Sequence, residues 1–169
     1  MHNNMITAGD DRQITDSMLD RNRQALIDTA RGLSESDAHK RLVPSLTTPI
    51  ALIKHAAAAE RIWFQRHWAG FGESDCDGYS RRDEGTFTVG DHETLADVIA
   101  EFERASKRSR EIASRFELDD TIDLSTEGTV SMRWTLLMMI QEFARHAGHG
   151  DILREQIEAG SQVDGDTLS

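Results

Sequence analysis

A chain of 169 residues with 30 acidic and 19 basic side chains has a formal charge of −11, which repels phosphate backbones and sets general nucleic-acid binding aside. Its length suits one domain, residues 1–169, able to bury a full core. With only two Pro and 12 Gly among long charged-apolar stretches it reads as all-α rather than as a sandwich or barrel.

One cysteine, Cys76, excludes an intrachain disulfide framework and fits a reducing cytoplasm. "MHNNMITAGDDRQ" has no apolar signal-type segment. The longest apolar runs fall well short of the ~20 residues a membrane helix needs. The expectation is a cytoplasmic protein with no membrane span.

The first helix is expected from about Ile14 to Gly32, with Met18, Leu19, Leu26, Ile27, Ala30 and Leu33 on its apolar face. "LSESDAHKRL" adds one short turn. The second helix opens at Thr48-Pro49, an N-cap followed by proline at the first helical position. It runs to near Gly70, and the small residues Ala56 to Ala59 let it approach a neighbour closely. The third starts around Asp91 and turns Leu95, Val98, Ile99, Phe102 and Ile112 inward; the fourth spans Ser131 to Gly160. Between the second and third lies "FGESDCDGYSRRDEGTFTVGD", long enough to cross over one end of a bundle. "DDTIDLSTEGTVS" has room for a short extended pair around Ile122 and Val130. Residues 1–10 and 161–169 are polar and expected to be mobile, leaving a core of about 14–160. The architecture is a four-helix bundle with one long crossover between helices two and three.

"MIQEFARHAGHGDIL" places Glu142, His146 and His149 at i, i+4 and i+7, on one helix face. Met138, Met139, Leu153 and Ile157 continue that sector, while Gln141, Asp151 and Glu155 lie opposite. The three polar groups are therefore expected to point inward. A buried carboxylate is costly unless it is paired, protonated or bound to a cation. Imidazole and carboxylate are ligands for zinc and its borderline neighbours. His55, sharing a face with Ala51, Leu52, Ala59 and Ile62, is the candidate ligand from the second helix. A lone inward His is commonly a hydrogen-bonded core residue, but two ligand types at i, i+4 form the arrangement that helical metal sites reuse. His149 is open to three roles: a fourth ligand, a partner of a ligand, or a proton carrier. His2, His39, His67 and His92 sit in tails, turns or polar faces and are expected to be solvated. Trp63, Phe64 and Trp68 read as core or pocket wall.

"SLTTPIALIKHAAAAERIWFQRHWAG" and "SMRWTLLMMIQEFARHAGHGDILREQIEAG" resemble the DinB-like four-helix superfamily, in a branch known only as a domain of unknown function. The likeness extends over roughly residues 14–160, and its most specific parts are Lys54-His55 with Trp63-Phe64, and Arg145 to His149. It implies an up-up-down-down bundle holding a divalent metal by one His on helix two and an H-x3-H pair on the last helix. By position these are His55, Glu142 and His146, with Glu142 standing where many members have His. The mycothiol-dependent maleylpyruvate isomerase, a relative, also pairs a Glu-x3-His with a helix-two His. This chain is expected to lack the additional domain of that isomerase.

The resemblance implies a divalent metal, zinc first and nickel second, with open coordination positions. It also implies a low-molecular-weight thiol of the mycothiol or bacillithiol type, used for S-transfer to an electrophile or for thiol-dependent isomerisation. Arg145 is the candidate to hold a substrate carboxylate, and a homodimer is the expected assembly. Two other readings use the same residues: a metal-binding or stress-response module without turnover, and a metal-dependent hydrolase with Glu60 or His149 as base.

Overall fold

The computed structural model describes residues 6–166. Helix α1 is Asp11–Ala30. It starts three residues before Ile14 because Asp10 caps it: the Asp10 carboxylate accepts from the Gln13 backbone N–H at 2.8 Å, and Gln13 reaches back. The expected short turn is α2, Glu35–Ala38, capped by Ser34. Helix α3, Pro49–Glu60, opens on the Thr48 cap and its proline. Helix α4, Leu95–Ala113, begins at a Thr94–Asp97 capping box rather than at Asp91. Helix α5 is Met132–Asp166. Strands β1, Thr121–Leu124, and β2, Gly128–Ser131, form an antiparallel hairpin with Ile122 opposite Val130, as expected. The expectation of mobile ends falls at 1–5 and 167–169 outside the described residues, while 161–166 continue α5.

Side-chain pairs fix the helix directions. Arg133 on α5 meets Asp11, and Arg154 reaches the Arg31 carbonyl, so α1 and α5 run the same way. Lys54 of α3 meets Glu101 of α4, and Glu60 meets Ser106, so α3 and α4 are parallel. His55 contacts Glu142 while Trp63 packs on Trp134, so α3 and α5 are antiparallel. The order is up-down-down-up, which corrects the up-up-down-down order implied by the resemblance. Parallel α3 and α4 require a long return connection, and this is why residues 69–94 cross over the bundle.

Beyond Glu60 the second long helix widens into a π-helix, Arg61–Trp68, which the sequence reading did not anticipate. The wide turn buries five consecutive residues, Arg61 to Gln65. Ala56 to Ala59 are all buried, and Phe64 and Trp68 lie in the core. Met18, expected inward, is 42% exposed because the face of α1 that meets the core is carried by Leu19, Arg23, Leu26 and Ile27. Gly150 lets α5 approach α1: a Cβ there would stand 2.7 Å from the Thr29 Cβ.

A buried polar band below the site ties the crossover down. The Arg61 guanidinium, 1% exposed, donates to Asp77 and Glu101, each at 2.6 Å. Gln65 exchanges hydrogen bonds with Asp77, and Lys54 bridges Glu93 and Glu101. Two 3-10 turns follow in the crossover, Glu73–Asp75 and Glu84–Phe87. The second delivers Thr86 and Phe87 to His55.

Candidate metal centre

His55 projects from the middle of α3 into the groove between α3 and α5, because the alanines beside it leave room for an imidazole. Glu142 and His146 project into the same groove from successive turns of α5. One Glu142 oxygen, Oε1, lies 3.1 Å from His55 Nε2 and 3.0 Å from His146 Nε2. One nitrogen or oxygen from each of the three residues falls within 4.8 Å of the others. The His146 and His55 hydrogen bonds hold the Glu142 carboxyl well below the usual carboxylate range, against the opposing effect of partial burial. Glu142 is an anion throughout the neutral range.

The crossover decides how His55 faces this group. Thr86 is buried, and its hydroxyl stands 3.0 Å from the Asp83 carbonyl. Its oxygen also stands 3.0 Å from His55 Nδ1, as donor or acceptor according to the His55 tautomer. A neutral imidazole has one donor and one acceptor nitrogen: with no cation present Nε2–H donates to Glu142, and with a cation among the three groups Nδ1–H would donate to Thr86 and leave the Nε2 lone pair free to ligate. Phe87 stacks on the His55 ring at 4.1 Å and 12° and holds its plane. Ligands at zinc bond lengths and tetrahedral angles stand about 3.3 Å apart, close to the two distances from Glu142, with the third pair within 4.8 Å. The donor set therefore fits a divalent ion, and Thr86 is positioned to accept from Nδ1 when Nε2 is the ligating nitrogen.

His149 is exposed rather than inward: at three residues past His146 its ring swings to the groove's edge, 5.5 Å from the His146 ring. Arg145 is exposed and lines neither cavity beside the cluster, so a carboxylate-holding role has no support from its position. Glu60, considered as a base, is fully buried and paired with Arg23 at 2.6 Å and Ser106 at 3.1 Å. His67 is half-buried rather than solvated, edge-on to Trp63, and burial and then Arg82 push its pKa down.

A cavity of about 560 Å³ opens beside His55 and Glu142, walled by Trp63, Phe87 and Met138 with Arg82 at its mouth. Arg82 lies over the Trp63 ring at 5.0 Å and pairs with Glu127. Thr86, Phe87 and Arg82 escaped the sequence reading. They lie some 30 residues from His55 in a loop with no helical or strand period to place them.

The sequence model of the mycothiol-S-transferase family matches residues 15–159. The chain belongs to the mycothiol-S-transferase family. The match takes in all three cluster residues, the whole of α3, and α5 up to residue 159, and this family is a member of the DinB-like superfamily. No curated protein matches the chain. Among solved structures, the crystal structure of a conserved protein from Enterococcus faecalis superposes with a TM-score of 0.64 at 16% identity, covering 90% of this chain and 99% of that one. That likeness carries the fold alone. Among the described residues no helix is long and apolar enough to cross a membrane.

Proposed function

We propose that this mycothiol-S-transferase family member is a metal-dependent enzyme in which His55, Glu142 and His146 hold a divalent ion, zinc first, and that it joins a low-molecular-weight thiol to an electrophile. The observation that carries the proposal is the convergence of the three side chains, with the Thr86 hydroxyl beside His55 Nδ1 and His55 Nε2 facing Glu142. Two imidazoles and one carboxylate leave positions open for a substrate. When bound, such an ion supplies the positive charge that keeps a thiol sulfur ionised at neutral pH.

The remaining work falls to the chain. Thr86 and Phe87 fix the His55 ring's rotation and plane, with Nε2 toward the group and Nδ1 toward the Thr86 hydroxyl. Glu142, anionic throughout the neutral range, brings negative charge to the group without needing to lose a proton first. The Trp63, Phe87 and Met138 walls suit an apolar electrophile and thin out the water that would compete with the thiol. In the reaction the sulfur forms a bond to the electrophilic carbon, and the leaving group departs with its electron pair. The thiol proton passes to solvent, and His149 at the groove's edge is the residue placed to carry it. The hydrolase reading loses one of its two bases, since Arg23 and Ser106 hold Glu60.

The test is conjugation of mycothiol to an electrophile panel by zinc-loaded and metal-stripped protein. The proposal expects acceleration only in the loaded form. Equal rates in both would leave a binding module without turnover as the better reading.

A further inference from the structure

Two cavities lie in line along the α3–α5 groove, on opposite sides of the cluster. The antiparallel register sets this order: Trp63 meets Trp134, His55 meets Glu142 and His146, and the segment before α3 meets α5 beyond His149. The first cavity is the apolar-walled one already described. The second, about 320 Å³, is lined by Ser45, Thr47, His149 and Gln156 together with Val43, Ile152 and Leu153, of which Leu153 is buried. Both volumes lie within the range of small-molecule sites, about 300–1,000 Å³. A two-substrate transfer needs two binding places that meet at the reacting atoms, and this groove supplies one on each flank.

The linings differ in chemistry. Arg82, Asp83, Glu84 and Glu142 border the first cavity, whereas no Lys, Arg, Asp or Glu lines the second. Its polar groups are two hydroxyls, an amide and an imidazole. The hydroxyls of Ser45 and Thr47 already stand as a pair at 2.9 Å, with Ser45 donating. Such a set exchanges hydrogen bonds with hydroxyl groups, and the Val, Ile and Leu side chains of the lining offer apolar contact to the C–H faces of a sugar or cyclitol ring. A thiol that carries carboxylates would meet no Lys or Arg in this lining, on a chain whose net charge is −11.

We propose that this second cavity binds the hydroxyl-rich, uncharged part of the thiol cosubstrate, with its sulfur directed past His149 toward the cluster. The inference rests on the thiol-transfer reading and names the site and chemical class of that thiol. Thr47 and Gln156 are the specificity-determining residues. Neither caps a helix and neither is buried, so their replacement spares the fold.

The experiment compares mycothiol, an uncharged thiol bearing a sugar and a cyclitol, with N-acetylcysteamine, an uncharged thiol with no hydroxyl groups. Both are conjugated to one electrophile by the zinc-loaded protein. In Thr47→Val and Gln156→Met the ratio of kcat/KM for mycothiol to that for N-acetylcysteamine falls about fivefold each, the scale of one lost hydrogen bond. The fall is expected in the mycothiol KM, with the electrophile KM holding within about twofold. An unchanged ratio in an active wild-type background overturns the cavity assignment and leaves the transfer reading standing. A rise in the electrophile KM alone overturns it too, by placing the other substrate there. A wild type that conjugates neither thiol removes both.

Discussion

The Thr86 hydroxyl stands 3.0 Å from His55 Nδ1 and 3.0 Å from the Asp83 carbonyl, so it can take the Nδ1 proton while donating its own to Asp83 when Nε2 serves as a ligand. The crossover, far away in sequence, thus decides which His55 nitrogen faces Glu142. Partners of this kind raise metal affinity by roughly 10–100-fold. Thr86→Val, which keeps the shape and removes the acceptor, should weaken zinc binding by about that factor, and Thr86→Ser should keep most of it. Competition against a chromophoric chelator measures both. Equal affinity in Thr86→Val and wild type would remove the tautomer from the explanation.

The Arg23–Glu60 pair is buried on both sides, at 5% and 0% exposure. Losing one partner strands a charge in the core, which costs about 3–5 kcal/mol. Arg23→Leu should therefore lower the urea midpoint sharply, and Arg23→Leu combined with Glu60→Leu should recover much of the loss. A double variant no better than the single would show that the charge of Glu60 is not what the single variant strands.

Stability should also fall between pH 7.5 and 5.5 in a way that His67 sets. Burial, and then Arg82, lower its pKa below 6.5. The folded state thus favours the neutral ring, and the unfolded chain binds the proton first as pH falls. The contribution is full above about 6.5 and is lost as pH drops below it. Asp20 and Glu93, also lowered, lose theirs only below their ordinary values of 3.8 and 4.5, outside that window. His67→Gln should flatten the slope of urea midpoint against pH, taken as a difference from wild type so that other groups cancel. Parallel slopes would contradict it.

Gly150→Val should destabilise by about 1–3 kcal/mol, the cost of overpacking, because its Cβ meets the buried Thr29 side chain. Thermal unfolding measures this, and a Thr29→Ala background should relieve part of it. A neutral Gly150→Val would mean that α5 and α1 have slack there.

The four long helices, the short turn at Glu35, the hairpin register at Ile122 and Val130, and the grouping of His55 with Glu142 and His146 were all legible. They rest on local period, caps and i, i+4 spacing. The helix directions were not, because direction depends on which faces pair across the bundle, and the crossover alone hints that α3 and α4 are parallel. The π-helix at Arg61–Trp68 was hidden for a related reason. Its buried Arg61 and Gln65 answer to Asp77 in a distant loop, and on a regular helical wheel they read as solvent-facing. His149 was misplaced because a wheel groups i and i+7 without showing where the groove ends.

The most direct measurement is the metal content of protein purified without affinity-tag metals, compared with His146→Ala. The His55, Glu142 and His146 cluster predicts close to one equivalent of zinc, or of nickel or another divalent ion, per chain and its loss in the variant. A wild-type chain that stays metal-free after growth in zinc-supplemented medium, and takes up none on titration, would contradict the metal centre and the chemistry built on it.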